Sequence, residues 1–313
     1  MRILARLLIV VLAAHSLLGA VDAALWWAFD SGPLAPETEL VLTHRSSGPA
    51  LRVYGDYPDL DPESAAQRTV DSLDGAGGFD RSVIVVTIPT GSGWVDPHQV
   101  AAMESATGGD VATVAVRYSA APSAAVFILR PEVATRSAHT LLREVIDRIR
   151  ALPAGDRPQL VVHGLSLGAL AGIRALTDPD LARYVDAALW QGPPGAGPRE
   201  DTGVDREPGT RLGGAGSRHS GTETRHGGAK TRHGGAGSRH GETGTGAEGS
   251  GDCTVTEVND DDPVAELSWG LLGEPLHGLR VLAALPGSDS APPGHLHRYR
   301  PIVPPAGCLE RAS

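Results

Sequence analysis

A serine hydroxyl attacks an acyl carbon only when a base takes its proton and a carboxylate orients that base. The chain offers these three residue types in one order. Ser166 sits in Gly164-Leu165-Ser166-Leu167-Gly168, a Gly-x-Ser-x-Gly pentapeptide. An acidic run, Asp260-Asp261-Asp262, comes later, and His295 and His297 follow within Pro292-Pro293-Gly294-His295-Leu296-His297. Serine, then acid, then histidine is the order in which a strand-to-helix serine finds its partners on a parallel sheet. The glycines two before and two after Ser166 suit a bend where strand and helix cross closely. Leu167 N–H, just after the serine, would face an oxyanion there. A second donor is expected from Pro89-Thr90-Gly91-Ser92-Gly93, at Thr90 and Gly91, with Trp94 walling the pocket. The competing structural readings are a solvated aspartate turn, a helix cap at Asp262 before Pro263, and surface histidines in a proline-rich loop. His163, just before the pentapeptide, reads as a structural residue.

The elements around these residues must hold them in register. Gln159 to Val162 is a short apolar run before the pentapeptide, and an alanine-bearing helix follows to about Leu176. Ser82–Ile88 and Val111–Val116 are continuous runs rich in β-branched residues, as in strands buried on both faces. Leu51–Tyr54, Ala187–Trp190 and Cys253–Val258 read as further strands. Helices are expected from Asp61 to Leu73, from Asp96 to Met103 and from Pro131 to Leu152. In the last of these Val133, Leu141, Leu142, Val145, Ile146 and Ile149 recur at helical spacing. After the acidic run a helix is expected over Ala265–Leu272. The apolar segment Leu279–Leu285 reads as a strand, with a short buried helix as the alternative. Strands alternating with helices predict an α/β fold, a mostly parallel sheet with helices on both faces.

Two segments stand outside this pattern. Residues 1–29 open with Arg2 and Arg6, continue through an apolar run from Leu7 to Leu18, and reach small residues at Ala20, Ala23 and Ala24. That is the layout of a signal peptide, or of a membrane anchor if uncleaved, and it predicts an extracytoplasmic location, secreted or membrane-anchored. Between 195 and 252 the composition turns to Gly, Ser, Thr, Ala and Glu, with Arg-His pairs recurring every seven residues from Arg218-His219 to Arg239-His240. No apolar seam accompanies this period, so a coiled coil is excluded and a disordered insert is expected. Its histidines leave metal or partner binding open, but a loose insert cannot hold a catalytic base in register. The domain is therefore expected in two parts, 38–194 and 253–313.

The 313-residue chain has a net charge of −10, which argues against nucleic acid as a partner. Two cysteines, Cys253 and Cys308, exclude a cysteine-cluster zinc site and leave pairing open if the domain is exported. No cofactor and no metal is called for by these residues.

Gly77-Gly78-Phe79-Asp80-Arg81-Ser82 begins a wider pattern. It runs on through Pro89-Thr90-Gly91-Ser92-Gly93-Trp94-Val95-Asp96-Pro97, Gly108-Gly109-Asp110, the pentapeptide and Ala188-Leu189-Trp190-Gln191-Gly192-Pro193-Pro194. It reappears at Asp262-Pro263-Val264 and at Pro292 to Tyr299. In these blocks the chain resembles a bacterial, largely actinobacterial, membrane-associated alpha/beta-hydrolase family whose hydrolase domain follows a multi-pass membrane region. The resemblance implies an alpha/beta-hydrolase fold and a serine hydrolase; small-molecule or lipid esters are the expected substrates, because their hydrolysis needs no cofactor and a membrane-side setting suits apolar substrates. It places the nucleophile on Ser166, the acid on Asp262 and the base on His295 or His297, with His295 preferred because it directly follows Gly294. The alternative is a catalytically impaired scaffold or binding protein with a His-rich loop, because one N-terminal apolar segment stands in for the multi-pass region and the Arg-His insert interrupts the domain.

Overall fold

A computed structural model describes residues 49–195, 253–268, 270, 273–285 and 287–309, together with Val21, Ala23, Ala24, Trp26 and Asp30. Of the expected signal peptide or membrane anchor, 1–29, only Val21, Ala23, Ala24 and Trp26 are described, and the Arg-His repeats lie outside the described residues. Among the described residues, no helix is long and apolar enough to cross a membrane.

Six strands form one sheet: β1 (Leu51–Gly55), β2 (Val83–Ile88), β3 (Val111–Val116), β4 (Gln159–Leu165), β5 (Ala187–Gln191) and β6 (Thr254–Glu257), in the order β1-β3-β2-β4-β5-β6. Every pair is parallel. The composition of the strands follows from their place. Residues in β2, β3, β4 and β5 are buried throughout, and these strands are continuous apolar runs. The edge strand β6 alternates exposed threonines with partly buried Val255 and Glu257. The α/β expectation therefore holds, with strand bounds within a residue or two of those read from the sequence.

Four of the helices bury one face of the sheet or flank the site. They are α1 (Pro62–Gly75), α3 (Ser123–Leu129), α4 (Pro131–Ala151) and α5 (Leu167–Ala175), with α2 (Pro97–Ala106) lying between β2 and β3 in the chain. α1 and α2 start at aspartates, Asp61 and Asp96, whose carboxylates accept a backbone N–H of the first turn, with proline next in the chain. Leu73, Leu141, Leu142, Val145 and Ile146 pack with Ile84, Val86, Leu160 and Val162 in the larger core. On the opposite face Val83, Val85, Val161 and Leu189 meet Met103 of α2 and partly buried Ile302, Cys308 and Leu309 of the C-terminal tail.

That tail is extended rather than helical, and three buried glutamines hold it. Gln99 of α2 donates to Ile302 O at 2.6 Å and accepts Ile302 N–H at 2.8 Å. Gln191 Nε2 donates to Arg300 O at 2.6 Å, and Gln159 Nε2 donates to Cys308 O at 3.2 Å. Long amides on the sheet and on α2 thus pair with backbone groups that a helix would have satisfied internally. A disulfide joins Cys253, at the start of β6, to Cys308.

Two local expectations are corrected, and one helix was not foreseen. Leu279–Leu285 is not a strand: Pro275–Ala284 forms a helix, α7, after the short α6 (Pro179–Ala182). Proline at its start and three-residue apolar spacing outweigh the apolar run. The helix expected over Ala265–Leu272 is absent among the described residues of that span, where Ala265 and Glu266 form turns. Asp262 N–H closes a turn onto Asn259 O before Pro263, and its side chain accepts Val264 N–H after it; such local bonds compete with a helix. The helix α3 was not expected, because Ser123–Leu129 is short and lacks a clear polar face.

Candidate active site

Ser166 lies at the bend between β4 and α5. Its backbone is left-handed, with φ 57° and ψ −125°, in a residue that is not glycine. Such a conformation is costly and persists where the surroundings over-determine it. Here they do. Ser166 N–H donates to Gln191 O at 2.7 Å, and Ser166 O accepts Leu170 N–H at 3.1 Å in the first turn of α5. A Cβ on Gly164 would come within 2.6 Å of Ala169 N, and one on Gly168 within 2.2 Å of Ile88 O. Strand and helix therefore cross at backbone contact, and neither position admits a side chain. The serine is 4% exposed, and no hydrogen bond engages its hydroxyl among the described residues.

Asp262 and His297 form a buried pair. His297 Nδ1 lies 2.8 Å from Asp262 Oδ2, with side-chain exposures of 8% and 0%. The carboxylate takes two further donors: Val264 N–H on Oδ1 at 2.8 Å and the Tyr299 hydroxyl on Oδ2 at 2.5 Å. Because Asp262 Oδ2 can only accept, the bond fixes the proton of the neutral imidazole on Nδ1 and leaves Nε2 unprotonated.

His295, preferred in the sequence reading, is placed elsewhere. Its side chain is 62% exposed and reaches Asp261 at 3.3 Å. The reason is the turn between the two histidines. Gly294 has φ 91° and Leu296 φ 49°, and Gly294 N–H donates to Arg298 O at 2.7 Å, so the chain reverses between His295 and Arg298. Leu296 N–H donates to Asp261 Oδ1 at 2.8 Å, and Leu296 O accepts from Asn259 Nδ2 at 2.8 Å. Burial would raise the Asp261 carboxyl, but the Leu296 N–H and His295 hold it below the ordinary carboxylate range. Consecutive aspartates thus do different work: Asp261 pins the turn, and Asp262 receives the inward histidine.

Upstream, the expected oxyanion donors need revision. Thr90 N–H is bonded to Trp94 O at 3.0 Å and Gly91 N–H to Ser123 Oγ at 2.9 Å. Both backbone donors are engaged, so neither faces a ligand. Leu167 opens α5 and has no acceptor one turn back within that helix. Ile88 O and Pro89 O press against Gly168, so the chain that enters this loop lies at the first turn of α5. Among the described residues, the Thr90 Oγ1 has a 3.5 Å contact to Ser92 Oγ as its one hydrogen-bond partner. Trp94 is half-buried beside this loop.

Contacts tie the serine to the acid–histidine pair. Gln191, whose carbonyl holds Ser166 N–H, is followed by Gly192, and a Cβ there would meet the Tyr299 ring at 2.6 Å. Tyr299 in turn bonds Asp262. No hydrogen bond links Ser166 to His297 among the described residues. Sequence reasoning missed Tyr299, Asn259 and Gln191 as partners of the site. All three belong to or border the blocks that carry the family resemblance, and that proximity was their only signal.

His163 is fully buried on β4. Its Nε2 lies 3.1 Å from Gln191 Oε1, and its Nδ1 has no hydrogen-bond partner among the described residues. Burial pushes its pKa below the ordinary 6.5, against smaller opposing effects of Gln191 and Asp96. Among the described residues, no group of three or more His, Cys, Asp or Glu side chains is arranged to hold a metal.

The sequence of no curated protein matches this chain. Among solved structures it is similar to a Trichoderma reesei cutinase in complex with a phosphonate inhibitor, at 18% identity over 44% of this chain and 68% of that one, with a TM-score of 0.30. It is also similar to an acetylxylan esterase, at 18% identity over 39% and 67%, TM-score 0.28. A cutinase-like protein from Cryptococcus sp. matches at 20% identity over 37% of this chain and 54% of that one, TM-score 0.26. The model of the alpha/beta-hydrolase family matches residues 51–213, from β1 past the serine bend and β5. That span is just over half of the chain and contains the strand–serine–helix crossing described above, so the chain belongs to the alpha/beta-hydrolase family.

Proposed function

We propose that the protein is a serine hydrolase that cleaves carboxylic esters, with Ser166 as nucleophile, His297 as general base and Asp262 as its orienting acid. The observation that carries this reading is the buried 2.8 Å contact of His297 with an Asp262 carboxylate held by two other donors. In the first step Ser166 Oγ bonds to the acyl carbon while His297 Nε2 takes the hydroxyl proton. The proton then passes to the departing alkoxide as the ester C–O bond breaks. Water, activated by the same nitrogen, releases the acid and restores the serine. Leu167 N–H and the Thr90 hydroxyl donate to the oxyanion, in place of the Thr90 and Gly91 amides.

Esters rather than amides are the proposed substrates because an alkoxide leaves with little assistance. The apolar segment at 7–18 favours small or lipid esters met outside the cytoplasm, at or near a membrane. The Cys253–Cys308 disulfide supports the same setting, because such bonds persist where thiols are not kept reduced.

Hydrolysis of p-nitrophenyl acyl esters by two histidine variants tests the assignment. His297→Gln is expected to lower kcat/KM by on the order of 10²–10⁴-fold, the range for a lost general base. His295→Gln is expected to stay within about twofold of wild type, since its exposed ion pair contributes little. The reverse ranking would move the base to His295.

A further inference from the structure

Three side features of the fold invite a role. One is the 300 Å³ pocket lined by Asp56, Tyr57, Arg117 and Tyr118. Its Arg117 is already committed to Asp56 and to Ser119 O. A second is the apolar outer side of α7, where Leu276 and Leu279 are exposed, but nothing in the structure shows what covers it. The third is Tyr299, and its bonds reach the proposed chemistry.

We infer that Tyr299 is a positioning residue that sets how strongly Asp262 holds His297. This rests on the proposed role of the Asp262–His297 pair. The Tyr299 hydroxyl donates to Asp262 Oδ2, the same oxygen that receives His297 Nδ1. It accepts Asn259 N–H at 3.2 Å, which directs its own proton to the carboxylate. The ring lies edge-on to the imidazole, with centroids 5.8 Å apart, and packs flush on Gly192, one residue beyond the carbonyl that anchors Ser166 N–H. Burial, together with the Asp262 carboxylate, holds the phenol above its ordinary range, so it remains a donor.

The shared oxygen has a definite consequence. A second donor on Oδ2 draws off negative charge and weakens the acceptor that His297 sees. It also fixes the carboxylate plane, because Val264 N–H holds Oδ1 and two donors hold Oδ2. Without the hydroxyl, Oδ2 becomes a stronger acceptor for the Nδ1 proton, and the carboxylate gains freedom to rotate. Tyr299→Phe keeps the ring against Gly192 and removes only the donor.

Two measurements on the full-length Tyr299→Phe variant test the inference. The first is the chemical shift of the His297 Nδ1 proton, assigned by its loss in His297→Gln. It is expected to move downfield in Tyr299→Phe, and this readout needs no catalysis. The second is the rate of inactivation by a fluorophosphonate, measured well below the variant's melting transition and expected to fall about tenfold as the freed carboxylate holds the imidazole less firmly; the lost bond to a charged group also lowers the melting temperature. An unmoved Nδ1 proton overturns the inference even if the rate falls, because packing alone would then explain the loss. If the proton moves but wild type is not inactivated by the probe, the ester-hydrolase reading fails while the coupling of Tyr299 to the pair stands.

Discussion

Thr90 and Gly91 show how much a single hydrogen bond decides at this site. Both were expected to present backbone N–H groups to an oxyanion, and both N–H groups are spent on Trp94 O and Ser123 Oγ. The loop still reaches α5, so the donor it can offer is the Thr90 hydroxyl. Thr90→Val keeps the shape and removes that hydroxyl. It is expected to lower kcat on an ester by about 10²–10³-fold, the cost of one oxyanion donor, whereas Thr90→Ser keeps most of the activity. Equal losses in the two variants would mean that packing, not donation, is at stake. His163 supports a prediction about stability. Its folded pKa lies below the unfolded 6.5, so the unfolded chain binds the extra proton first. Stability contributed by the neutral imidazole is complete above about pH 6.5 and is lost as pH falls below that value. The melting temperature of wild type should therefore drop on acidification through this window, and His163→Gln should drop less. The residue scale was only half legible in the sequence. Ser166 stood out by its pentapeptide, whereas Asp262 was singled out among three aspartates only by the family resemblance. The selection of His297 over His295 depends on a positive φ at Leu296, which no residue type at that position announces.

At the scale of elements the sequence was readable wherever one pattern dominated. Apolar β-branched runs gave the central strands, and aspartate–proline pairs gave the starts of α1 and α2. It was unreadable where short apolar segments fit two structures. Pro275–Ala284 is such a segment, and so is Ser123–Leu129. The tail was opaque for another reason: its order comes from partners far away in sequence. Gln99, Gln159 and Gln191 hold Arg300 to Cys308 through backbone groups, and a disulfide adds the last tie. The cysteines are 55 residues apart in sequence, a long loop for the unfolded chain to lose. Cys308→Ser is expected to lower unfolding stability by about 2–5 kcal/mol in chemical denaturation. A change under about 0.5 kcal/mol, ordinary for a surface position, would show that the glutamines alone secure the tail.

For the whole molecule, the sheet order sets where three distant stretches lie. The serine bend follows β4, the aspartate follows β6, and the histidine lies in the loop that returns over the same edge after α7. Residues 199–251 separate β5 from β6 in sequence, yet the two strands pair in register from Ala188↔Thr254 to Gln191↔Glu257. The family match ends at residue 213, before Asp262 and His297. That the serine works with this pair is therefore a proposal, supported by the contacts that run through Gln191, Gly192 and Tyr299, and it is the central claim to test. Labelling of the full-length protein by a fluorophosphonate probe, read by intact mass, does so most directly. The account predicts one adduct on wild type, none on Ser166→Ala, and labelling slowed by on the order of 10²–10⁴-fold in His297→Gln. A wild-type chain that stays unlabelled, or a Ser166→Ala chain that labels equally, would contradict it.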